Sequence, residues 1–213
     1  MTGIESVIVE TPDPATADAF HAAAFGAGAV PVRARASEAP TTGFRGFTLS
    51  LVVARPSTVD ALFSSALEAG ATEVKPAKKS LWGYGGVLRS PDGTIWTIAS
   101  SSKKDGGGPV TREIDEFVVQ LGVADVAASK RFYVERGLEV AKSYGRKYVQ
   151  FASPSSPVTL ALYGHRALAK TAGVSPDGTG SHRLAITSTA GPFTDPDGFT
   201  WEAVAARDEH LAG

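Results

Sequence analysis

The sequence predicts an α+β protein built from tandem βαβββ modules, and two repeated patterns lead to that reading. The first is a turn that occurs twice, as Ser90-Pro-Asp-Gly-Thr-Ile-Trp96-Thr97 and as Asp195-Pro-Asp-Gly-Phe-Thr-Trp201-Glu202. Pro fixes φ, Asp bonds its own backbone and Gly supplies positive φ, so each copy reads as a tight turn. An alternating run follows each turn and reads as a strand. The second pattern is a helix start. Asp13 precedes Phe20-His21, and Asp125 precedes Phe132-Tyr133 at the same spacing. Two unrelated signatures that repeat in the same order divide the chain into related halves.

Taken in order, residues 4–9 alternate as a strand, and 15–25 form an Ala-rich helix that stops at Gly26. Residues 30–36 and 47–53 read as strands. Pro56-Ser57-Thr58 opens a helix whose Val59, Leu62, Phe63, Ala66 and Leu67 fall on one face, with Gly70 closing it. Strands at 73–75, 85–89 and 94–99 complete a βαβββ unit over 46–99. Residues 101–110, Ser/Gly-rich and without apolar periodicity, form the linker. A second βαβββ unit spans 114–163, with its helix at 127–136. A short helix is expected at 167–172 and a strand at 182–187. The helix that ought to follow that strand is missing, so the outer modules, 1–45 and 181–205, look trimmed. The division expected is 1–100, a linker at 101–110, and 111–213, each half being one domain of paired modules with curled mixed sheets. Cross-pairing of the outer modules is the alternative.

Composition narrows the function classes. A formal charge of −1 gives no reason to expect nucleic acid or an anionic membrane surface as partner. The chain has no cysteine, which excludes disulfides, thiolate metal sites and a cysteine nucleophile, and which fits a cytoplasmic protein. No apolar run reaches the length of a membrane span, and the first residues lack the pattern of a leader. The Ala- and Gly-rich, Cys-free composition hints at a high-GC bacterial source.

The order of these motifs resembles the vicinal oxygen chelate superfamily, which includes glyoxalases, bleomycin-resistance proteins and extradiol dioxygenases. The likeness rests on Val123-Ala-Asp125, Phe132-Tyr133 and Gly137. It rests also on the Val59–Ala71 helix, on Lys75-Pro76-Ala77 with Trp82-Gly83-Tyr84, and on the second Asp-Pro-Asp-Gly turn with its Glu. It implies two glyoxalase-like domains and, for the enzymes of the class, a divalent ion held by His and carboxylate side chains that polarises vicinal oxygens. Carried over position by position, the first-strand ligand falls on Ser6 and Val118. The last-strand carboxylate falls on Thr97 and Glu202, and the remaining ligand near Thr48 and near His182 or Arg183. Glu202 and His182 alone have suitable chemistry, with Glu116, two residues before Val118, as a substitute.

Each of these residues also has an ordinary structural reading. Glu202 can be a hydrated or salt-bridged carboxylate at a barrel mouth, Glu116 a solvated strand start, and His182 a rim residue. His21 reads as helix packing and His165 as a residue at a strand end. Strand alternation puts Trp96 and Trp201 opposite Thr97 and Glu202, so the tryptophans belong to the core if the latter face a cavity. Gly83-Tyr84-Gly85-Gly86 precedes no helix and is not a phosphate loop. The reading is therefore a protein without a metal cofactor, holding a small molecule in a cleft of curled sheets through Trp82, Tyr84, Gln120 and Glu202. The alternatives are a divalent-metal glyoxalase-type lyase, isomerase or dioxygenase using Glu202, Glu116 and His182, or a degenerate interaction module. Whether the protein is an enzyme, and whether it forms a homodimer, are left open at this stage.

Overall fold

The computed structural model describes residues 2–81, 83–152, 154 and 156–204. Among these, β1 (Ile4–Thr11), α1 (Pro14–Phe25), β2 (Val32–Ala36) and β3 (Thr41–Gly43) come first. The first complete module is β4 (Phe47–Val52), α2 (Pro56–Glu68), β5 (Thr72–Ser80), β6 (Gly83–Arg89) and β7 (Ile95–Ser100). The second is β8 (Glu116–Val123), α3 (Val126–Glu135), β9 (Val140–Ser143), β10 (Tyr148–Phe151) and β11 (Thr159–Gly164). The chain continues through α4 (His165–Ala172), β12 (Gly178–Gly180), β13 (Leu184–Ser188), β14 (Phe193–Thr194) and β15 (Thr200–Ala203). No helix of the described residues is long and apolar enough to cross a membrane.

Local chemistry accounts for the helix starts. Asp13 Oδ1 accepts the Thr16 amide at 3.0 Å, and Asp125 Oδ1 accepts those of Ala127 and Ala128 at 2.8 and 3.1 Å. Arg55, ahead of α2, offers no side-chain cap. Asp105 supplies it from the linker, its Oδ1 accepting the Ser57 amide at 3.0 Å and hydroxyl at 2.7 Å. Arg55 in turn donates to the carbonyls of Gly107 and Pro109 at 2.9 and 2.7 Å. The linker is exposed but tied at Asp105 and at Gly107 and Pro109, and Lys103 and Lys104 stand exposed ahead of both ties, where Lys104 bonds Ser102 locally. Limited trypsin digestion is expected to cut there first. Earlier cleavage beside Lys170, in α4, would contradict this.

The strand pairing runs across the linker. Both complete modules lie in one eight-stranded sheet of order β5-β6-β7-β4-β8-β11-β10-β9, joined by antiparallel pairing of β4 with β8. The outer strands form a five-stranded sheet of order β14-β15-β13-β1-β2, with β1 antiparallel to β13. Each half of the sequence thus contributes to both sheets. The cross-paired arrangement, rather than one closed pair of modules on either side of residues 101–110, is the one the hydrogen bonds make. The trimmed outer modules leave this second sheet with fewer strands, and among the described residues no helix separates β13 from β14.

Helices exchange between the sheets. From the outer half, α1 places Phe25 and His21 against Trp96 of β7, with ring centroids 4.6 and 5.5 Å apart. From the inner half, α3 places Tyr133 against Trp201 of β15 at 5.3 Å, and Phe132 against Phe193. Both tryptophans are fully buried, on the face opposite Thr97 and Glu202, as alternation requires. Residues of both sheets and of α1, α2 and α3 share one continuous apolar core.

Candidate functional site

The other face of the eight-stranded sheet forms a cleft. Inward positions alternate along β4 as Thr48, Ser50 and Val52, along β7 as Ile95, Thr97 and Ala99, and along β8 as Glu116, Val118 and Gln120. Register aligns them in rows across the sheet. Ser50 pairs with both Thr97 and Val118, and Val118 pairs with Thr159 of β11. The central row therefore reads Thr97, Ser50, Val118, Thr159. One row over, Thr48 pairs with Gln120, and the Thr48 hydroxyl donates to Gln120 Oε1 at 2.7 Å.

Helix α4 roofs one end of this surface. Its Leu168 and Ala169 pack with Phe44 and Tyr163, and Ala172 packs with Val87 and Ile95. Lys75 of β5 secures its C-terminal end, Nζ donating to the carbonyls of Lys170 and Thr171 at 3.1 and 2.6 Å. Beneath and beside the roof lies a cleft of about 510 Å³ bordered by Ser50, Lys75, Lys78, Thr97, Gln120 and Tyr163. That volume is of the size that holds a small organic molecule. Beside the cleft on the same face, Tyr148 pairs in register with Tyr163, stands edge-on to it with centroids 4.9 Å apart, and donates to Gln150 Oε1 at 2.9 Å. Burial, with smaller contributions from Tyr163, Glu116 and Tyr144, pushes the Tyr148 phenol well up, and burial raises that of Tyr163.

The residues expected to bind a ligand do not all gather here. Gln120 and Tyr84 border the cleft. Tyr84, however, turns its ring toward α2, where its hydroxyl donates to Asp60 Oδ1 at 2.7 Å; that bond raises its pKa. Gly86 marks the same face two positions on, where a Cβ would stand 2.5 Å from the Phe63 ring. Tyr84 thus supplies wall rather than a phenol aimed at a ligand. Trp82 lies outside the described residues.

Glu202 is on the other sheet. Arg35 reaches across from β2 and binds Glu202 Oε1 at 2.8 Å and Glu10 Oε1 at 2.5 Å. Glu202 therefore has the salt-bridged role foreseen as its ordinary reading. Its row, Ser6, Thr187 and Glu202, holds that one carboxylate.

The other two candidate ligands, Glu116 and His182, are also engaged. Glu116 Oε1 accepts from the Thr159 hydroxyl at 2.7 Å and from Gln150 Nε2 at 3.3 Å. His182 stacks on Phe199 at 4.0 Å, with Nδ1 2.6 Å from the Arg45 carbonyl and Nε2 3.0 Å from that of Asp197. Both nitrogens face backbone oxygens, which leaves neither lone pair for a metal. His165 sits at the start of α4, Nε2 2.9 Å from the Pro176 carbonyl. Sequence reading missed Lys75, Lys78, Tyr163 and the α4 roof. The alternation of β11 carried a signal for Tyr163; the lysines lie on a strand interrupted by register shifts, which hides their facing.

No family model and no curated protein sequence matches the chain. Solved structures do. Glyoxalase I from Zea mays superposes with a TM-score of 0.61 at 14% identity, over 95% of this chain and 92% of that one. A putative dioxygenase from Bacillus subtilis gives 0.54 at 12% identity, over 87% of this chain and 69% of that one. The chain has the fold of the vicinal oxygen chelate superfamily.

The fold raises the question of a divalent ion, and the residues answer it. The ligand positions that the resemblance assigns to the eight-stranded sheet are Thr48, Thr97 and Val118; Thr97 borders the cleft, and Thr48 and Val118 are buried beside it in the sheet. Two neutral hydroxyls and an isopropyl group do not make a donor set for a first-row ion, which takes imidazole and carboxylate. Among the described residues no three His, Cys, Asp or Glu side chains come together to hold one. These residues do not fit a divalent ion.

Proposed function

We propose that the protein binds a small organic molecule in the cleft of the eight-stranded sheet, without a metal ion, by shape and by a few neutral hydrogen bonds. The observation that carries this reading is the neutral polar set Thr97, Ser50 and Gln120, which borders a roofed cleft of about 510 Å³ where a charged donor set would be needed to hold an ion. Gln120 adds an oriented amide, held by Thr48, and Tyr163 an aromatic wall. The hydroxyls of Ser50 and Thr97 have no His, Asp or Glu beside them in the described lining to act as a base, so retention of the ligand is favoured over its conversion. The lack of cysteine supports a reducing, cytoplasmic setting.

Two measurements test the reading. Elemental analysis and titration with Zn²⁺, Ni²⁺, Mn²⁺ and Fe²⁺ are expected to show no stoichiometric tight binding. One tightly held equivalent, lost in Glu202→Ala, would return the protein to the metalloenzyme class. A thermal-shift screen of small organic molecules is expected to yield hits that disappear when Thr97→Phe fills the floor. Hits indifferent to that substitution would place binding elsewhere.

A further inference from the structure

Charge is distributed unevenly around the cleft. Its described lining includes Lys75 and Lys78 of β5 and no Asp or Glu. Register puts both lysines on the concave side. Lys75 pairs with Val87 and Lys78 with Gly85, which pair in turn with the inward residues Thr97 and Ala99. Lys75 is fixed by its bonds to the last carbonyls of α4, so its charge stays at the lip. Two carboxylates on adjoining elements are engaged elsewhere. Asp60 accepts from Tyr84 on the α2 side, and Glu116 is bound by Thr159 and Gln150 beyond β4. The rest of the polar lining, Ser50, Thr97 and Gln120 among it, is neutral and serves anionic and uncharged ligands alike. The lysines therefore decide the charge preference.

We propose that the cleft selects a small organic anion, a carboxylate- or phosphate-bearing molecule, whose acidic group sits at the lip beside Lys78 and Lys75 while its apolar body lies over Ala99 and Tyr163. This rests on the cleft being the binding site, as proposed above. Two positive charges at the lip, Lys75 half-buried and Lys78 exposed, favour the anion by about tenfold over an uncharged analogue of the same shape, and salt screens that preference.

The test uses two fluorescent probes that differ in charge, 8-anilinonaphthalene-1-sulfonate and the uncharged N-phenyl-1-naphthylamine. They are titrated into the full-length protein and into Lys78→Glu, Thr97→Phe and Ala99→Phe variants whose folding is verified by circular dichroism. The expected result is about tenfold tighter binding of the sulfonate at an ionic strength of about 0.01 M, falling toward parity at about 1 M as the screening length shrinks. Lys78→Glu is expected to abolish the preference without weakening the uncharged probe, and a cleft-filling variant to weaken both. Equal affinity for the two probes, with both lost on filling, would overturn the charge assignment and leave the cleft reading standing. Absence of binding by either probe, or binding that neither filling variant changes, would overturn the cleft reading and this inference with it.

Discussion

Replacing Tyr133 with phenylalanine is expected to lower stability by about 1–3 kcal/mol, the range for a buried group left without its hydrogen-bond partner. Tyr133 is completely buried, and its hydroxyl donates to Asp195 Oδ2. The other carboxylate oxygen accepts the amides of Phe199 and Asp197 at 2.8 and 3.0 Å and so holds the second Pro-Asp-Gly turn closed. In Tyr133→Phe, Oδ2 loses that donor while remaining buried. The pH dependence has a definite sign. Burial raises the Asp195 pKa above its ordinary value, so the folded state holds this proton more tightly than the unfolded chain does. The associated stability is complete below the unfolded value, near 3.9, and is lost as pH rises through the folded one. Removing the donor makes the ionised form costlier still. The deficit of Tyr133→Phe is therefore larger at neutral pH than in acid, while Asp195→Asn, which keeps an acceptor for the two amides, offsets part of it. Urea unfolding at neutral and acidic pH reads this directly. A deficit that does not change with pH would show that Tyr133 acts by packing alone.

What was legible in the sequence follows the range of the forces involved. The Pro-Asp-Gly turns, the Asp caps and the alternation that buries Trp96 and Trp201 act over a few residues, and they read correctly. Cross-pairing of β1 with β13 did not, because both modules offer the same kind of strand edge and only the assembled core selects between them. The partner of Glu202 was hidden for a similar reason. Arg35 belongs to a strand that becomes a neighbour only through the curl of the five-stranded sheet. Tyr84 was assigned to a pocket because it stands among glycines. Those glycines are needed instead for close packing, since a Cβ at Gly86 would meet Phe63 and one at Gly85 the Ile98 carbonyl at 2.7 Å. The α4 roof was visible only as a short helix, because nothing local says which surface eight residues will cover.

The internal repeat also sets up the second large effect, at His21. This residue occupies in the first half the place that Tyr133 holds in the second: it follows a Phe on the helix and lies against a buried tryptophan, 5.5 Å from Trp96. Ser90 stands where Asp195 stands, and its hydroxyl bonds Asp92 and the Thr94 carbonyl. His21 is left without a counterpart. It is only 4% exposed, and neither ring nitrogen has a hydrogen-bond partner. Asp18 approaches Nδ1 no closer than 3.9 Å. Burial lowers the His21 pKa, and the charges of Asp92 and Asp18 oppose this only in part. The unfolded chain thus takes up a proton near pH 6.5 that the folded protein resists, and stability falls as pH drops below that value. Replacing His21 with phenylalanine or leucine removes both unpartnered nitrogens. It is expected to raise stability at neutral pH by about 1–3 kcal/mol, the penalty for a buried group left unsatisfied. The gain is expected to grow as pH falls from 7 toward 5, because the variant no longer loses stability to protonation of the unfolded state. Leucine serves as the check on crowding: if phenylalanine is too large beside Trp96, the neutral-pH gain shrinks in that variant alone, whereas the acid slope flattens in both. Unchanged acid slopes in the two variants would mean that His21 has a proton partner in solution and is not the buried neutral imidazole described here.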